Sequence, residues 1–338
     1  LKSIEKLKLR HDFVEILLDE KYLTESLITH LKGIVDIERI AAKIATAKVN
    51  PRELVSLKKS ISEIQKIKNI FEKNSNDLIV KTGKKFVTCK AIFSKIEKTI
   101  KEDVPVAVSK GNFIAEGFSK ELDELREILD DGKSMLNKIL KKELLKNDIP
   151  SLKIGFNNIF GYYFEVRNTH KEKVPNEWIR KQTLVNAERY INEDLKNYET
   201  KILGAEEKIQ ELELSYYSQL LNSLQENLDG IMANSILIGE IDCFLSFATA
   251  ASKFNFCKPA FNESNNIQII QGRHPVIEQN LEDGEIFIPN DIELDQENQQ
   301  IMMISGPNMS GKSAILRQTA LIIIMAQIGS YVPAKEVN

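Results

Sequence analysis

One segment of the chain matches a phosphate-binding loop in residue types and spacing. It consists of Gly306, Pro307, Asn308, Met309, Ser310, Gly311, Lys312 and Ser313, which fits the pattern G-x-x-x-x-G-K-[ST] in full. Glycines let the backbone wrap phosphate oxygens, and the N-terminus of a following helix favours an anion. We predict that Lys312 bridges the β- and γ-phosphates of a nucleotide and that the Ser313 hydroxyl binds Mg²⁺. The alternative is an ordinary glycine loop that caps a helix.

A second candidate site is a positively charged segment, residues 151–190. It carries seven Lys or Arg against four Glu, or +3, within a chain whose net charge is −3. Aromatic residues are interleaved with these charges: Phe156, Phe160, Tyr162, Tyr163, Phe164 and Trp178. The pattern is consistent with a non-specific grip on a nucleic-acid phosphate backbone, and equally with a solvated tip that has a small core.

Other residues capable of chemistry give weaker signals. Phe287 lies in a short apolar stretch and is either a buried strand residue or a platform for a nucleotide base. His274, in GRHPV, is interpreted as a turn or core histidine. His11, His30 and His170 lack metal-ligand spacing, and no paired carboxylates, Ser/His or Cys/His arrangement is evident.

Composition limits the classes of protein that are possible. The chain has 338 residues, 42% apolar and 28% charged, which predicts two or three domains with sizeable cores. With 46 Lys plus Arg against 49 Asp plus Glu, a uniformly basic nucleic-acid coat is excluded. Three widely spaced cysteines indicate neither a disulfide framework nor a zinc site, and favour a reducing cytosol. The run ALIIIMA is too short for a membrane span, and the first residue, Leu, suggests a piece of a longer protein.

The elements that would position these sites begin with helices over residues 1 to about 145. Asn50, Pro51 and Glu53 form a strong helix start, followed by an apolar face over 54–67. A second apolar stripe covers 122–139, where Gly132 weighs against one unbroken helix. Residues 111–118 between them are predicted to be a loop.

The pattern changes near residue 150. Alternating apolar residues over 151–169 predict a β-hairpin, and the charged stretch after it predicts a loop or short helix. From Ile191 to Tyr216, apolar residues are spaced alternately four and three positions apart. This spacing predicts a long helix over 186–227, about 60 Å long. Such a helix would be a lever, with the hairpin at its far tip. A helix over about 231–254, then short strands, a strand over 301–304 and a helix from 314 to about 328 indicate the start of an α/β domain.

The stretch GPNMSGKSAILRQTALIIIMAQIGSYVPA (306–334) resembles the MutS mismatch-repair ATPases beyond the generic loop pattern. The likeness extends over nearly the whole chain, through DIERIAAKIATAKVNPREL, GNFIAEGFSKELDELR, GYYFEVRNTH, IRKQTLVNAERYINEDLKNYETKIL, GRHPVIEQ and FIPND. Ser310 and Ala314 depart from the commonest form, GPNMGGKST, while Lys312 and Ser313 are in place.

The resemblance implies a fold class and its domains. The fold is mixed: a mostly α-helical core with levers, a small β-containing clamp insertion, and the first part of an α/β P-loop (ABC-type) ATPase domain. The expected boundaries are a helical core and lever over 1–147, a clamp with a hairpin and helix over 148–200, return helices over 201–258, and the start of the ATPase domain over 259–338.

The resemblance also implies sites and ligands. Phe287 matches the aromatic residue that stacks on adenine, and Asn290 belongs to the same motif. Positions near the DNA backbone match Asn157, Lys181, Thr183 and Asn186. The expected cofactors are ATP or ADP and Mg²⁺. The expected partners are mismatched double-stranded DNA, a second copy in the full-length protein and a downstream repair factor such as MutL, in the bacterial cytoplasm at the nucleoid and not in a membrane.

The chain departs from the family pattern at both ends. It stops at Asn338 without the acidic Walker B pair, the signature loop or the dimerisation end, and it lacks the mismatch-reading and connector domains. We therefore expect a middle segment that does not hydrolyse ATP alone, although the full-length protein would be an ATPase. The alternatives are a helical scaffold with a vestigial phosphate loop, and a MutS-like protein that acts on recombination intermediates or ribosomes.

Overall fold

A computed structural model describes residues 3–157, 159–282, 284–307 and 311–338. The helices are α1 (Ile4–Asp19), α2 (Lys21–Leu31), α3 (Ile37–Ala45), α4 (Pro51–Glu72), α5 (Asp77–Gly83), α6 (Lys90–Thr99), α7 (Lys120–Asn147), α8 (Glu193–Gln225), α9 (Leu228–Phe254) and α10 (Lys312–Ile328). The strands are β1 (Lys153–Asn157), β2 (Gly161–Arg167), β3 (Ile179–Thr183), β4 (Ala187–Ile191), β5 (Ile267–Gly272), β6 (Asn290–Leu294) and β7 (Glu336–Val337). Helices with two small antiparallel sheets confirm the predicted mixed fold class.

The chain divides into two compact units. The first contains the chain up to Ala42, together with Ser56–Lys90 and Asn227–Asn338. The second contains Lys43–Val55 and Ala91–Glu226. Each unit therefore combines stretches that are far apart in sequence.

The helical part of the first unit is held by an aromatic cluster. Phe13 of α1 lies 5.0 Å from Phe244 of α9 and 6.2 Å from Phe71, measured between ring centroids. The buried side chain of Asn234 in α9 adds a polar contact, since its amide both donates to and accepts from the backbone of Val87 at 2.9 Å. A buried amide satisfied in this way fixes how the two segments are aligned.

Helix α9 is more apolar than the sequence analysis recognised. Among the described helices it alone has the length and composition of a membrane span, a property that it shares with core helices of other proteins. It packs against α1 and α2, and the buried residues Leu237, Ile241 and Leu245 lie on one face. One face of the helix is thus buried, while 39% of its most apolar 18-residue stretch is buried in all.

The end of the first unit has a three-stranded sheet in the order β6-β5-β7, with α10 packed on β5. Ile269, Ile292 and Ile322 form the centre of the shared core. The strand predicted over 301–304 is wrong: this stretch has no strand pairing within the described residues, and Ile301 and Met303 are exposed. A β-strand requires a hydrogen-bonded neighbour, which an apolar pattern alone does not supply.

In the second unit, α4 begins as the sequence predicts. The Glu53 amide donates to Oδ1 of Asn50, and the Asn50 amide donates to a carboxylate oxygen of Glu53, both at 3.0 Å. This reciprocal pair is a capping box, which satisfies two amides that the helix itself cannot.

Helices α7 and α8 form an antiparallel pair, here called the arm. At one end Ser119 and Tyr216 share a hydrogen bond of 2.9 Å, and near the other end Lys142 and Asp194 form an ion pair of 2.7 Å. At 1.5 Å per residue, the 28 residues of α7 span about 42 Å.

Helix α7 is unbroken at Gly132, and the reason is its neighbour. A Cβ at this position would lie 2.8 Å from both Ile202 and the Tyr198 hydroxyl of α8. The glycine therefore permits close approach of the two helices and does not end α7.

Helix α8 starts later than predicted, at Glu193 with Asn192 as its N-cap, because residues 187–191 form strand β4. Ile191 therefore does not belong to the helical seam. The buried face of α8 also departs from the predicted repeat by one position. It follows the repeat from Leu195 to Ala205, but farther along Tyr217 is buried in place of Tyr216. A helix with 3.6 residues per turn drifts from a seven-residue repeat in this way.

The predicted hairpin is β1 and β2, but it is half of a larger structure. Residues 179–183, predicted as loop or helix, and residues 187–191 are strands, so the four-stranded clamp sheet has the order β1-β2-β4-β3. Its core contains Phe164, stacked on Trp178 at 4.5 Å, with Leu195 and Ile202 of α8. The clamp sheet thus packs on one end of the arm.

Candidate functional site

The phosphate loop leads directly into α10, and Gly311 makes the junction. Gly311 has φ +87°, a left-handed conformation that residues with a Cβ rarely adopt. Its carbonyl accepts from the amides of Ala314 and Ile315 at 2.9 and 3.2 Å. The amides of Lys312 and Ser313 open α10, and N–H groups in the first turn of a helix lack partners within the helix and favour an anion.

Lys312 folds back over the loop. Its Nζ donates to the carbonyl oxygen of Gly306, and to that of Pro307 at 3.1 Å. These two contacts hold the ammonium group beside Gly306 and Pro307. Asn308, Met309 and Ser310, also predicted to bind nucleotide, lie outside the described residues.

The arrangement fits a nucleotide phosphate with its Mg²⁺. Amide donors, a left-handed glycine and an ammonium group converge on one turn, and these are the groups that phosphate oxygens require. The exposed Ser313 supplies a hydroxyl oxygen at the same helix N-terminus, which suits a hard cation.

Phe287 and Asn290 lie at the entrance to β6. Phe287 is half-buried in an irregular segment between exposed Ile286 and Ile288, so it is not the buried strand residue considered as the alternative. Asn290 is the first residue of β6, and its side chain donates to the carbonyl of Ile288 at 3.1 Å. The ring of Phe287 is thus partly open to solvent, as a base platform requires.

Gln318, which the sequence analysis did not single out, joins α10 to this segment. It is fully buried, and neither its Oε1 nor its Nε2 has a hydrogen-bond partner within the described residues. A Cβ on Gly272 would lie 2.8 Å from this Nε2 and 3.2 Å from the Asn290 carbonyl. The glycine therefore lets the phosphate-loop helix and the Asn290 segment approach each other.

The other end of α10 is held by α1. The guanidinium of Arg10 donates to the Ile328 carbonyl at 2.8 Å, and Nε2 of buried His11 lies 3.0 Å from the Ala326 carbonyl. The Ile328 carbonyl, in the last turn of the helix, thus gains a partner from Arg10, and the Ala326 carbonyl accepts from His11 in addition to the Gly329 amide. Burial lowers the pKa of His11, which keeps the ring neutral and able to donate from Nε2.

His274 has the structural role expected of it. It is buried, and its Nδ1 accepts from the amides of Val276 and Ile277 at 3.3 and 3.2 Å. These bonds stabilise the turn after β5.

Three of the four predicted DNA-contacting residues lie together. Lys181 is exposed at a bulge in β3, Thr183 ends that strand, and Asn186 lies in the turn to β4, where its carbonyl accepts from Asn168 at 3.2 Å. They form one exposed edge of the clamp sheet.

Asn157 is not part of this edge. It pairs with Gly161 at the start of β2. Thr183 pairs with Glu188 of β4, and Glu188 in turn pairs with Val166 near the end of β2. With standard strand dimensions, Asn157 is roughly 20 Å from Thr183. Its side chain also accepts from the Ile159 amide at 2.8 Å and so stabilises the hairpin turn.

The basic residues of the clamp sheet divide into paired and unpaired groups. Ion pairs join Lys171 and Arg180 to Glu188, Lys173 to Asp148, and Arg189 to Glu165. Within the described residues no ion pair involves Lys153, Arg167 or Lys181. These three exposed cations remain available for an external anion.

Two of the unpaired cations lie on the outer face of the clamp sheet, opposite its core. Strand register places Lys153, Tyr163 and Arg167 on the face away from Phe164. The guanidinium of Arg189 lies 4.3 Å from the centre of the Tyr163 ring. Alternation along β2 would have revealed this face from the sequence, since every second residue from Tyr163 to Arg167 is polar or aromatic.

Comparison with known proteins gives a consistent result. Residues 117–208 match MutS family domain IV, and residues 302–338 match MutS domain V. The chain is 49% identical over 335 residues to the DNA mismatch repair protein MutS of Christiangramia forsetii, covering 99% of this chain and 38% of that protein. It is 50% identical over 338 residues to the protein of the same name from Parabacteroides distasonis, covering 100% of this chain and 39% of the relative. The chain thus spans less than half the length of these relatives.

Proposed function

Because this chain belongs to the MutS family, we propose that it is a segment of a DNA mismatch repair protein that grips the backbone of duplex DNA and binds ATP or ADP with Mg²⁺. The observation that carries the proposal is the set of unpaired cations on the clamp sheet. The clamp sheet supplies the DNA contact, and the phosphate loop supplies the nucleotide site.

The DNA contact is electrostatic and independent of sequence. Lys181 and Arg167 are exposed and unpaired, so binding a phosphate does not first require breaking an ion pair. Thr183 and Asn186 add neutral donors on the same edge as Lys181. Such groups position a protein on DNA without reading bases.

The salt dependence of DNA binding tests this contact. Each neutralised phosphate contributes about −0.9 to the slope of log affinity against log salt concentration. Lys181→Ala should therefore flatten the slope by about one unit and leave sequence preference unchanged. Lys173→Ala, whose ammonium pairs with Asp148 at 2.6 Å, is the matched control and should change the slope less. Equal slopes for Lys181→Ala and the unmodified chain would contradict the assignment.

The nucleotide site is assigned to the phosphate loop and α10. Lys312 and the amides of the first helical turn hold the phosphates, the Ser313 hydroxyl binds Mg²⁺, and Phe287 and Asn290 receive the base. The supporting features are the left-handed Gly311 and the converging donors around it.

Binding of a fluorescent ATP analogue in the presence of Mg²⁺ tests the site. Lys312→Ala should weaken the affinity tenfold or more, as expected for loss of a charge-assisted contact (roughly 1.4 kcal/mol or more). Lys335→Ala, an exposed lysine outside the loop, should have no effect. If the chain bound no nucleotide at all, a helical scaffold with a vestigial loop would be the better description.

For the whole protein we propose ATP hydrolysis coupled to the state of the clamp, recognition of mismatched DNA, a homodimer, and a downstream partner such as MutL, in the bacterial cytoplasm at the nucleoid. The segment alone is proposed not to turn over ATP. Steady ATP hydrolysis by the purified chain that disappears in Lys312→Ala would contradict this.

A further inference from the structure

Gln318 is a buried polar residue in an otherwise apolar face of α10. The three buried residues of this helix, Gln318, Ile322 and Ala326, follow one another at intervals of four positions, which places them on one face. Ile322 and Ala326 belong to the apolar core that α10 shares with the three-stranded sheet. Gln318 lies at the end of this face nearest the phosphate loop, where the pattern alone favours an apolar side chain.

Neither end of the Gln318 amide is satisfied. Its Oε1 and Nε2 both lack a hydrogen-bond partner within the described residues. A buried polar group without a partner lowers the stability of a folded protein, and most such groups in native structures are paired. Because the side chain is fully buried, a segment from elsewhere in a longer protein cannot reach it without displacing packed residues. Its partner must therefore come from groups already packed around it.

One such group is the backbone carbonyl of Asn290. A Cβ built on Gly272 would lie 2.8 Å from Nε2 of Gln318 and 3.2 Å from the Asn290 carbonyl oxygen. The donor and the acceptor therefore lie close to the same point, although no hydrogen bond joins them. Because Gly272 has no side chain, that point is left open, and a small shift of either group would bring the two into contact.

The acceptor belongs to residues 287–290, here called the base segment, to which the nucleotide base is assigned. Asn290 pairs with Gly272 of β5, and the register of β5 and β6 shifts at this point. Gln271, at the bulge, has φ +49° and donates its amide to Oδ1 of Asp291 at 2.7 Å. Bulges change the direction of a strand and of the side chains beside them. Regular pairing therefore does not by itself determine where the base segment lies.

Gln318 stands between the two halves of the proposed nucleotide site. We propose that Gln318 is a positioning residue: when a nucleotide binds, its Nε2 donates to the Asn290 carbonyl and fixes the base segment relative to the phosphate loop. Lys312 and Gln318 are six residues apart on α10, about 9 Å along the helix axis. One helix thus carries both the phosphate contact and this amide. The inference rests on the proposed nucleotide site.

The missing hydrogen bond determines where the effect of Gln318 should be measured. The bond is gained only in the nucleotide-bound state, so it contributes to the free energy of binding and not to the stability of the empty chain. The amide touches neither the phosphates nor the base and acts through the base segment. Affinity for phosphates alone should therefore not depend on it.

Binding of Mg²⁺–ADP and Mg²⁺–pyrophosphate to the 338-residue chain separates these contributions, because pyrophosphate carries the phosphates without the base. Isothermal titration calorimetry gives both affinities, and their ratio measures what the adenosine part adds. Gln318→Met keeps the approximate size of the side chain and removes both polar atoms. The ratio should fall about five- to tenfold, as for the loss of one hydrogen bond, and pyrophosphate affinity should change less than about twofold.

Thermal unfolding without ligand gives an independent readout. Removal of an unsatisfied buried amide should leave the melting temperature of Gln318→Met unchanged or higher, since methionine suits an apolar core. Gln210→Met, which changes an exposed glutamine of α8, is the matched control and should alter neither the melting temperature nor the ratio. Lys312→Ala should weaken both ligands together, because pyrophosphate and ADP share the phosphate contact.

Three results with Gln318→Met would overturn the proposal. An unchanged ratio would separate Gln318 from the base, an equal loss for both ligands would assign it to the phosphate loop, and a lower melting temperature would reveal a structural hydrogen bond. Two results with the unmodified chain would also overturn it and are distinguishable from these. Binding of neither ligand would refute the proposed nucleotide site, and equal affinity for ADP and pyrophosphate would refute the base segment.

Discussion

The phosphate loop and the clamp sheet differ in how well a sequence motif indicates the surrounding structure. The loop has the most specific sequence pattern in the chain, yet the stretch that leads into it, residues 301–304, has no paired strand in the described residues. The clamp sheet has no specific motif, yet it forms four paired strands with a core of its own. A motif indicates which chemical groups a site contains. Whether the segments around it form paired strands depends on neighbouring strands, which need not be close in sequence.

The largest effect is expected from Phe164→Ala in the core of the clamp sheet. Phe164 is fully buried against Trp178, so its loss should destabilise the clamp by about 3–5 kcal/mol. Trp178 is the single tryptophan, and its fluorescence reports unfolding of the clamp in urea. Nucleotide affinity should change less than twofold. Phe156→Ala, which alters a half-exposed ring, is the control, and a parallel loss of nucleotide binding would show that the two regions are not independent.

Arg126→Met tests whether the clamp depends on the opposite end of the arm. Arg126 pairs at 2.8 Å with Glu213, whose side chain is 1% exposed, and an unpaired buried carboxylate should cost about 3 kcal/mol in the free energy of unfolding. Urea unfolding by circular dichroism measures this. Lys120→Met, which breaks an exposed pair with Glu124, should cost less than about 0.5 kcal/mol. Similar losses in both variants would contradict the prediction.

Gly272→Ala tests the packing behind the phosphate loop. The new Cβ would lie 2.8 Å from both Gln318 and Ile269, so strain of about 1–3 kcal/mol is expected, together with weaker nucleotide binding. Gly239→Ala is the matched control: it meets nothing within 4 Å and lies in α9, where it should stabilise by about 0.5–1 kcal/mol. Thermal unfolding and nucleotide titration distinguish the two. An unchanged Tm for Gly272→Ala would indicate that Gln318 moves aside freely.

The smallest expected effect is a pH dependence from His11. Its folded pKa lies below the ordinary value of 6.5 because of burial, so the unfolded chain binds the proton more tightly. Stability should therefore fall as pH decreases through 6.5, and this contribution should be absent above that pH. Nearby Lys258 opposes protonation and Asp12 favours it. The free energy of unfolding of His11→Gln and of the unmodified chain, measured between pH 5.5 and 7.5, should converge toward the acid end, and parallel curves would exclude His11 as the cause.

Local signals in the sequence were reliable where the structure is decided locally. The capping box at Asn50 and Glu53 follows from interactions between residues close in sequence. The hairpin of β1 and β2 belongs to the same class, since a short turn sets its register.

Other features could not be predicted, because the local pattern is misleading or because strand order decides them. Strand β3 consists mostly of exposed polar residues and is stabilised by pairing with β4, so its own pattern is not that of a strand. Ile191 extends a helical repeat in sequence but pairs with Ile179 in the sheet. The separation of Asn157 from Thr183 likewise follows from strand order, which no short motif contains.

Helix α10 has its N-terminus at the phosphate loop and its last carbonyls hydrogen-bonded to Arg10 and His11, more than 300 residues away in sequence. Gly329 permits a close approach at this end, since a Cβ there would lie 2.8 Å from Arg10. Any displacement of α10 along its axis must therefore carry α1 with it or break both hydrogen bonds. Helix α1 therefore anchors the end of α10 that lies opposite the phosphate loop.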